Sequence, residues 1–121
     1  MICLLGRSCI IALCFTCVYG FAKEITTSLD LIKGVVPKAQ QLIKAKKDDV
    51  IQIKVTSDEP GEFHLHAYRL DLKLRPQETQ TLKFKANATG RFQFEWHPAA
   101  NATSAPAHRH EPLARLEVFP E

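Results

Sequence analysis

The chain has 121 residues, room for one domain, and a formal net charge of +3 from 16 basic and 13 acidic residues. No block of like charge exceeds KAKKDD (44–49), in which three lysines are offset by two aspartates, so nucleic acid is not indicated as a partner. With five glycines in all, no Gly-rich phosphate loop, no G-x-S-x-G and no H-E-x-x-H, the chain offers no catalytic constellation and is not read as an enzyme.

Residues 1–22, MICLLGRSCIIALCFTCVYGFA, carry one positive charge, Arg7, and an apolar run from Cys9 to Tyr19. They end with the small residues Gly20 and Ala22 at the −3 and −1 positions of a signal-peptidase site. This is the pattern of a secretory signal peptide, and the run is short for a membrane span. An uncleaved anchor is the alternative. A lipoprotein box is not formed, because Leu13 and Thr16 precede Cys14 and Cys17. The expectation is a leader over 1–22, one domain over 23–121, and a periplasmic or secreted product with no stable membrane insertion after cleavage. All four cysteines, Cys3, Cys9, Cys14 and Cys17, lie in the leader, so the domain has neither disulfide nor thiolate ligand. Without Arg7 it sets 15 basic residues against 13 acidic ones. A domain of about 100 residues can be held by its core alone.

In chain order, 28–34 (SLDLIKG) reads as an edge strand and 38–46 (KAQQLIKAK) as a strand or a helical turn or two. Residues 50–56 alternate, with Ile51, Ile53 and Val55 on one face. The stretch 61–72, GEFHLHAYRLDL, reads as a strand in which His64, His66 and Tyr68 recur at a spacing of two. Leu70, Leu72 and Leu74 then alternate with charges over 69–75. Residues 81–86 turn Leu82, Phe84 and Ala86 inward, 91–96 turn Phe92, Phe94 and Trp96 inward, and 113–119 close the chain with Leu116 and Val118 on one face. Turn signals separate these runs at 57–62, 75–79 and 87–90. Period-two runs at such spacing indicate an all-β antiparallel sandwich or barrel. Residues 97–112 have no strand pattern, and a loop of that length is usually functional or mobile.

The chain resembles the cupredoxin-like domains of exported bacterial proteins, including domains attached to periplasmic iron-uptake proteins and small stand-alone versions. The resemblance rests on DDVIQIKVTSDEPGEFHLHAY, RPQETQTLKFKANATGRFQFEWH and LARLEVFP, and covers roughly residues 28–121. It implies a Greek-key β-sandwich or barrel of cupredoxin type. Compared with blue-copper carriers, His66 matches the strand histidine and is expected to face inward at one end of the barrel. Trp96 stands where the cysteine belongs, His108 or His110 falls near the second histidine, and Pro112 or Leu113 takes the place of the methionine. Blue-copper electron transfer is therefore excluded, because its trigonal geometry depends on the copper–thiolate bond.

All five histidines, His64, His66, His97, His108 and His110, lie in the 64–66 pair or the 97–112 loop. Residues i and i+2 of a strand point the same way, about 6–7 Å apart at Cα, so His64 and His66 are placed to share a metal. His97 enters from the neighbouring strand, and His108 and His110 close over the top. Such a nitrogen set suits copper as Cu(II), zinc as the alternative, or Ni(II). Neutral imidazoles are required, so binding weakens below about pH 6. Glu62 and Glu95 are candidates to orient imidazoles, or are solvent-face charges. The competing reading is that the histidines are ordinary wall and loop residues, satisfied by hydrogen bonds. The chain would then be a metal-free interaction module for a periplasmic metal-uptake or redox partner. Asn87 and Asn101 fit the glycosylation pattern, which carries no meaning if the chain is bacterial, as the resemblance implies, and marks sugar sites in exposed loops if it is a eukaryotic secreted protein.

Overall fold

In a computed structural model of the chain, residues 21–103 and 112–120 are described, and the account that follows is of these. Eight strands form two sheets: β1 (Glu24–Leu31), β2 (Leu42–Lys46), β3 (Val50–Ser57), β4 (Gly61–Leu65), β5 (Leu70–Leu74), β6 (Thr79–Lys85), β7 (Gly90–Pro98) and β8 (Ala114–Phe119). One sheet has the order β1-β3-β6 and the other β2-β8-β7-β4-β5. Only β4–β5 and β7–β8 follow each other within one sheet, and every other connection crosses between sheets, giving a Greek-key sandwich. The 38–46 segment divides into a short 3-10 turn, Lys38–Gln40, and then β2.

The alternating apolar positions fill the space between the sheets. Leu29, Leu31, Ile51, Ile53, Val55 and Leu82 come from one sheet, and Ile43, Phe63, Leu65, Phe94, Leu116 and Val118 from the other. The Phe63 and Phe94 rings stack with centroids 5.1 Å apart, an aromatic pair worth about 0.5–1.5 kcal/mol beyond its buried area. Gly61 has no room for a side chain: a Cβ there would lie 2.5 Å from the Trp96 ring and 2.6 Å from the His97 carbonyl. Its lack of a Cβ lets β4 and β7 close up at this point.

Two features depart from the sequence reading. The sheets are not wholly antiparallel, since β1 pairs with β3 and β2 with β8 in parallel. The stretch 61–72 is not one strand either. β4 ends at Leu65, a 3-10 turn follows over His66–Tyr68, and Arg69 takes a left-handed conformation at φ 53° before β5 returns antiparallel. Cross-strand partners share a face, so Leu65 pairs with Leu70, Phe63 with Leu72 and Gly61 with Leu74. Inward positions are thus odd-numbered in β4 and even-numbered in β5. The expectation that His66 continues the inward row of Leu70, Leu72 and Leu74 fails for this reason. Its side chain is 65% exposed.

Two buried carboxylates tie backbone segments to the sandwich. The buried Asp49 carboxylate accepts hydrogen bonds from the backbone N–H of Lys23 (3.0 Å) and of Lys46 (2.8 Å). Glu59, also buried, accepts from the backbone N–H of Thr103 at 3.1 Å and from its hydroxyl. Asp49→Ala leaves two backbone donors without their acceptor and is expected to cost about 2–4 kcal/mol, read from urea denaturation. A loss below about 0.5 kcal/mol, the range of an ordinary surface change, would contradict this role.

Candidate metal site

The β4–β7 register sets Glu62 opposite His97 and His64 opposite Glu95, while Phe63–Trp96 and Leu65–Phe94 take the inner face. On the other flank, β5 sets Asp71 opposite His64 and Lys73 opposite Glu62. Alternation therefore brings imidazoles and carboxylates together on the outer face of the five-stranded sheet. His66 reaches the same place from the 3-10 turn.

Among the described residues, one set of three metal-ligating side chains converges: His66, Glu95 and His97, whose ligand atoms all lie within 4.8 Å of one another. Glu95 Oε2 stands 2.8 Å from His66 Nε2 and 3.5 Å from His97 Nε2. With metal–ligand bonds near 2.0–2.1 Å, neighbouring ligand atoms sit about 2.9 Å apart in a square arrangement and about 3.3 Å apart in a tetrahedral one. Both carboxylate–imidazole separations are close to those values, and the two imidazole nitrogens lie within 4.8 Å of each other. All three side chains are about half exposed, which leaves the set open to solvent.

His64 stands beside this set rather than in it. Its side chain is 15% exposed. Its Nδ1 makes a short contact with Asp71 Oδ1, and its Nε2 lies 3.6 Å from Glu62 Oε2. The ring stacks on His66 at 5.6 Å, nearly parallel, and meets His97 edge-on at 4.8 Å. Held from behind by Asp71, it forms a wall against which both flanking imidazoles rest. A carboxylate on the far nitrogen of an imidazole is the usual means of fixing ring orientation at metal sites.

The sequence thus brings His64, His66 and His97 to one place, although His64 and His66 do not share a strand. His108 and His110 lie outside the described residues. Tyr68 is not involved: its ring packs on Phe84 and Phe92, and its hydroxyl donates to the Ala88 carbonyl at 3.2 Å. Burial pushes its pKa up, against the lowering effect of that hydrogen bond. Glu95, which the sequence offers only as an imidazole-orienting or solvent-face charge, is the centre of the set, and Asp71 carries no mark of its own in the sequence. The signal for both was the period-two pairing of β4 with its neighbours, which becomes visible only once the register is known.

A blue-copper donor set does not fit. No cysteine or methionine occurs among the described residues. Trp96 occupies the inner face of β7 with its ring against Gly61, and its indole N–H is buried without a hydrogen-bond partner.

No family model matches the sequence, and no curated protein matches it. Solved structures do. A copper-binding protein in its apo form is 14% identical, with a TM-score of 0.58 over 82% of this chain and 91% of that one. A chain of a heme-copper terminal oxidase dimer is 17% identical, with a TM-score of 0.62 over 82% and 65%. A blue copper oxidase from Nitrosomonas europaea is 19% identical, with a TM-score of 0.57 over 82% of this chain and 40% of that one. The chain has a cupredoxin-like fold, and structures that share it have copper-related names.

The hydrogen bond from His66 holds the Glu95 carboxyl below its usual pKa, against a smaller opposing effect of burial. A folded-state pKa below the unfolded one contributes stability above the unfolded value that is lost as pH falls through the folded one. The group is half exposed, so the contribution is screened and small. Carboxyl-carbon NMR titration is expected to find Glu95 titrating below the ordinary glutamate range and to move upward in His66→Ala. An unchanged midpoint in the variant would remove His66 as the cause.

Proposed function

We propose that this chain is an exported metal-binding protein of cupredoxin-like fold that handles a divalent metal through His66, His97 and Glu95, and does not carry electrons through a blue-copper centre. Copper as Cu(II) is the favoured metal and zinc the alternative, since two imidazoles and a carboxylate suit both. The observation that carries the reading is the convergence of the three ligand atoms within 4.8 Å on an open sheet face. The copper-related names of the structures that share the fold support it. In this reading His64 positions the ligands, with Asp71 behind it. His108 and His110 remain proposed additional ligands, on the sequence alone. The leader over 1–22 and a periplasmic or secreted location belong to the same proposal.

The second reading, a metal-free module that assists a metal-uptake or redox partner, is motivated by Trp96 on the inner face of β7, where the resemblance places the blue-copper thiolate. It leads if the titration below finds no site.

Calorimetric titration with Cu(II) and with Zn(II) at pH 7.5 is expected to show one site with sub-micromolar affinity in about one-to-one stoichiometry, weakening below about pH 6 as the imidazoles take up protons. His66→Ala with His97→Ala is expected to abolish it. Binding no tighter than that of a generic peptide, or retained by the double variant, would sink the proposal. His64→Ala is expected to weaken binding about 10–100-fold, as for a group that orients ligands. His64→Phe, which keeps a flat ring in the wall, should restore most of the loss. Failure of phenylalanine to rescue would make His64 a ligand instead.

A further inference from the structure

The proposed metal site has a chemical bias that bears on how it would let its cargo go. Residues 18–121 contain neither cysteine nor methionine: the four cysteines end at Cys17, and the one methionine is Met1. No sulfur donor can therefore reach the site from this domain. The converging set consists of two imidazoles and a carboxylate. Thiolate and thioether ligands select Cu(I), whereas imidazole with carboxylate suits the divalent ion.

Charge acts in the same direction. Besides Glu95, the carboxylates of Glu62 and Asp71 flank the His64 ring that touches both ligand imidazoles. One cation, Lys73, stands 3.8 Å from Glu62, with its side chain almost fully exposed. A doubly charged ion gains more from this surrounding than a singly charged one. The ligands are also accessible, His66 at 65% and His97 at 58% exposure, so both a reductant and an acceptor can approach them.

We infer that the His66–Glu95–His97 site discriminates by oxidation state, holding Cu(II) and giving it up as Cu(I), so that one-electron reduction is the release step. This rests on the metal-handling reading above. A one-electron reductant of the enediol class, such as ascorbate, donates the electron and loses a proton with it. Copper passes from Cu(II) to Cu(I), its bonds to the two imidazole nitrogens and the carboxylate oxygen break, and new bonds form to the acceptor. The acceptor that fits is a protein or small molecule presenting thiolate or thioether sulfur, the donor type this domain lacks.

The test uses the purified domain loaded with one equivalent of Cu(II) under anoxic conditions, with bicinchoninate as the Cu(I)-accepting probe. Without reductant, the copper should stay on the protein. With ascorbate, the expected result is complete loss of copper to two equivalents of the probe, which takes up Cu(I) two-to-one, read from the absorbance of that complex. Glu95→Met adds one thioether to the set and should then need more probe for the same transfer. Reduced copper that stays on the wild-type protein, as in a two-coordinate Cu(I) on His66 and His97, would overturn the inference while leaving the metal-handling reading intact. A Glu95→Met protein that yields copper as readily as the wild type would also overturn it, by removing sulfur as the cause. Failure of Cu(II) to bind at the outset would instead defeat the metal-handling reading, and this inference with it.

Discussion

The pairing of β4 with β7 is the constraint on which the rest of the molecule depends. Side chains along a strand alternate between faces, so one choice of register decides both the core and the outer surface. With Phe63 against Trp96 and Leu65 against Phe94, the apolar residues of both strands enter the core together. The same choice leaves Glu62, His64, Glu95 and His97 side by side outside. A slip of β7 by one residue would turn Glu95 and His97 inward and expose Phe94 and Trp96, a penalty of several kcal/mol at ordinary transfer energies. The arrangement of this imidazole–carboxylate cluster is thus enforced by the hydrophobic effect acting on its neighbours in sequence.

This explains how a cupredoxin-like fold comes to carry its imidazole–carboxylate cluster outside the barrel. The inner position on β7 belongs to Trp96, whose ring fills the space left by Gly61. On the outer sheet face the His66, Glu95 and His97 side chains are about half exposed. Asp71 and His64 supply a packed backing on one side.

Much of this could be read from the sequence. The alternating runs 50–56, 69–75, 81–86 and 91–96 all became strands, and the turns at 57–62, 75–79 and 87–90 fell between them. The parallel pairings of β1 with β3 and of β2 with β8 are not legible, because a strand's own pattern says nothing about the direction of its neighbour. The change of facing between Leu65 and Leu70 was hidden for a different reason. HLHAYRL keeps an unbroken period of two, and no glycine, proline or asparagine marks the reversal. Arg69 supplies the left-handed residue that the turn requires, at φ 53°, a conformation in which a non-glycine residue is uncommon. Of the metal-site residues, the histidines could be picked out by their rarity. Glu95 and Asp71 could not, since they are two among 13 acidic residues and differ from the rest only in their neighbours across the sheet.

The parallel pairing of β2 with β8 joins residues 42–46 to 115–119, across most of the domain. β2 lies at the edge of the larger sheet, and its one strand neighbour there is the last strand of the chain. It can gain no sheet hydrogen bonds until that strand is available, whatever the rest of the sandwich has done. Contacts so distant along the chain must overcome a large closure entropy before they return any stabilisation, which makes folding slow relative to helical domains of similar size. The larger sheet is therefore complete only once residues 115–119 reach residues 42–46, so its edge strand is the last part of that sheet to be secured.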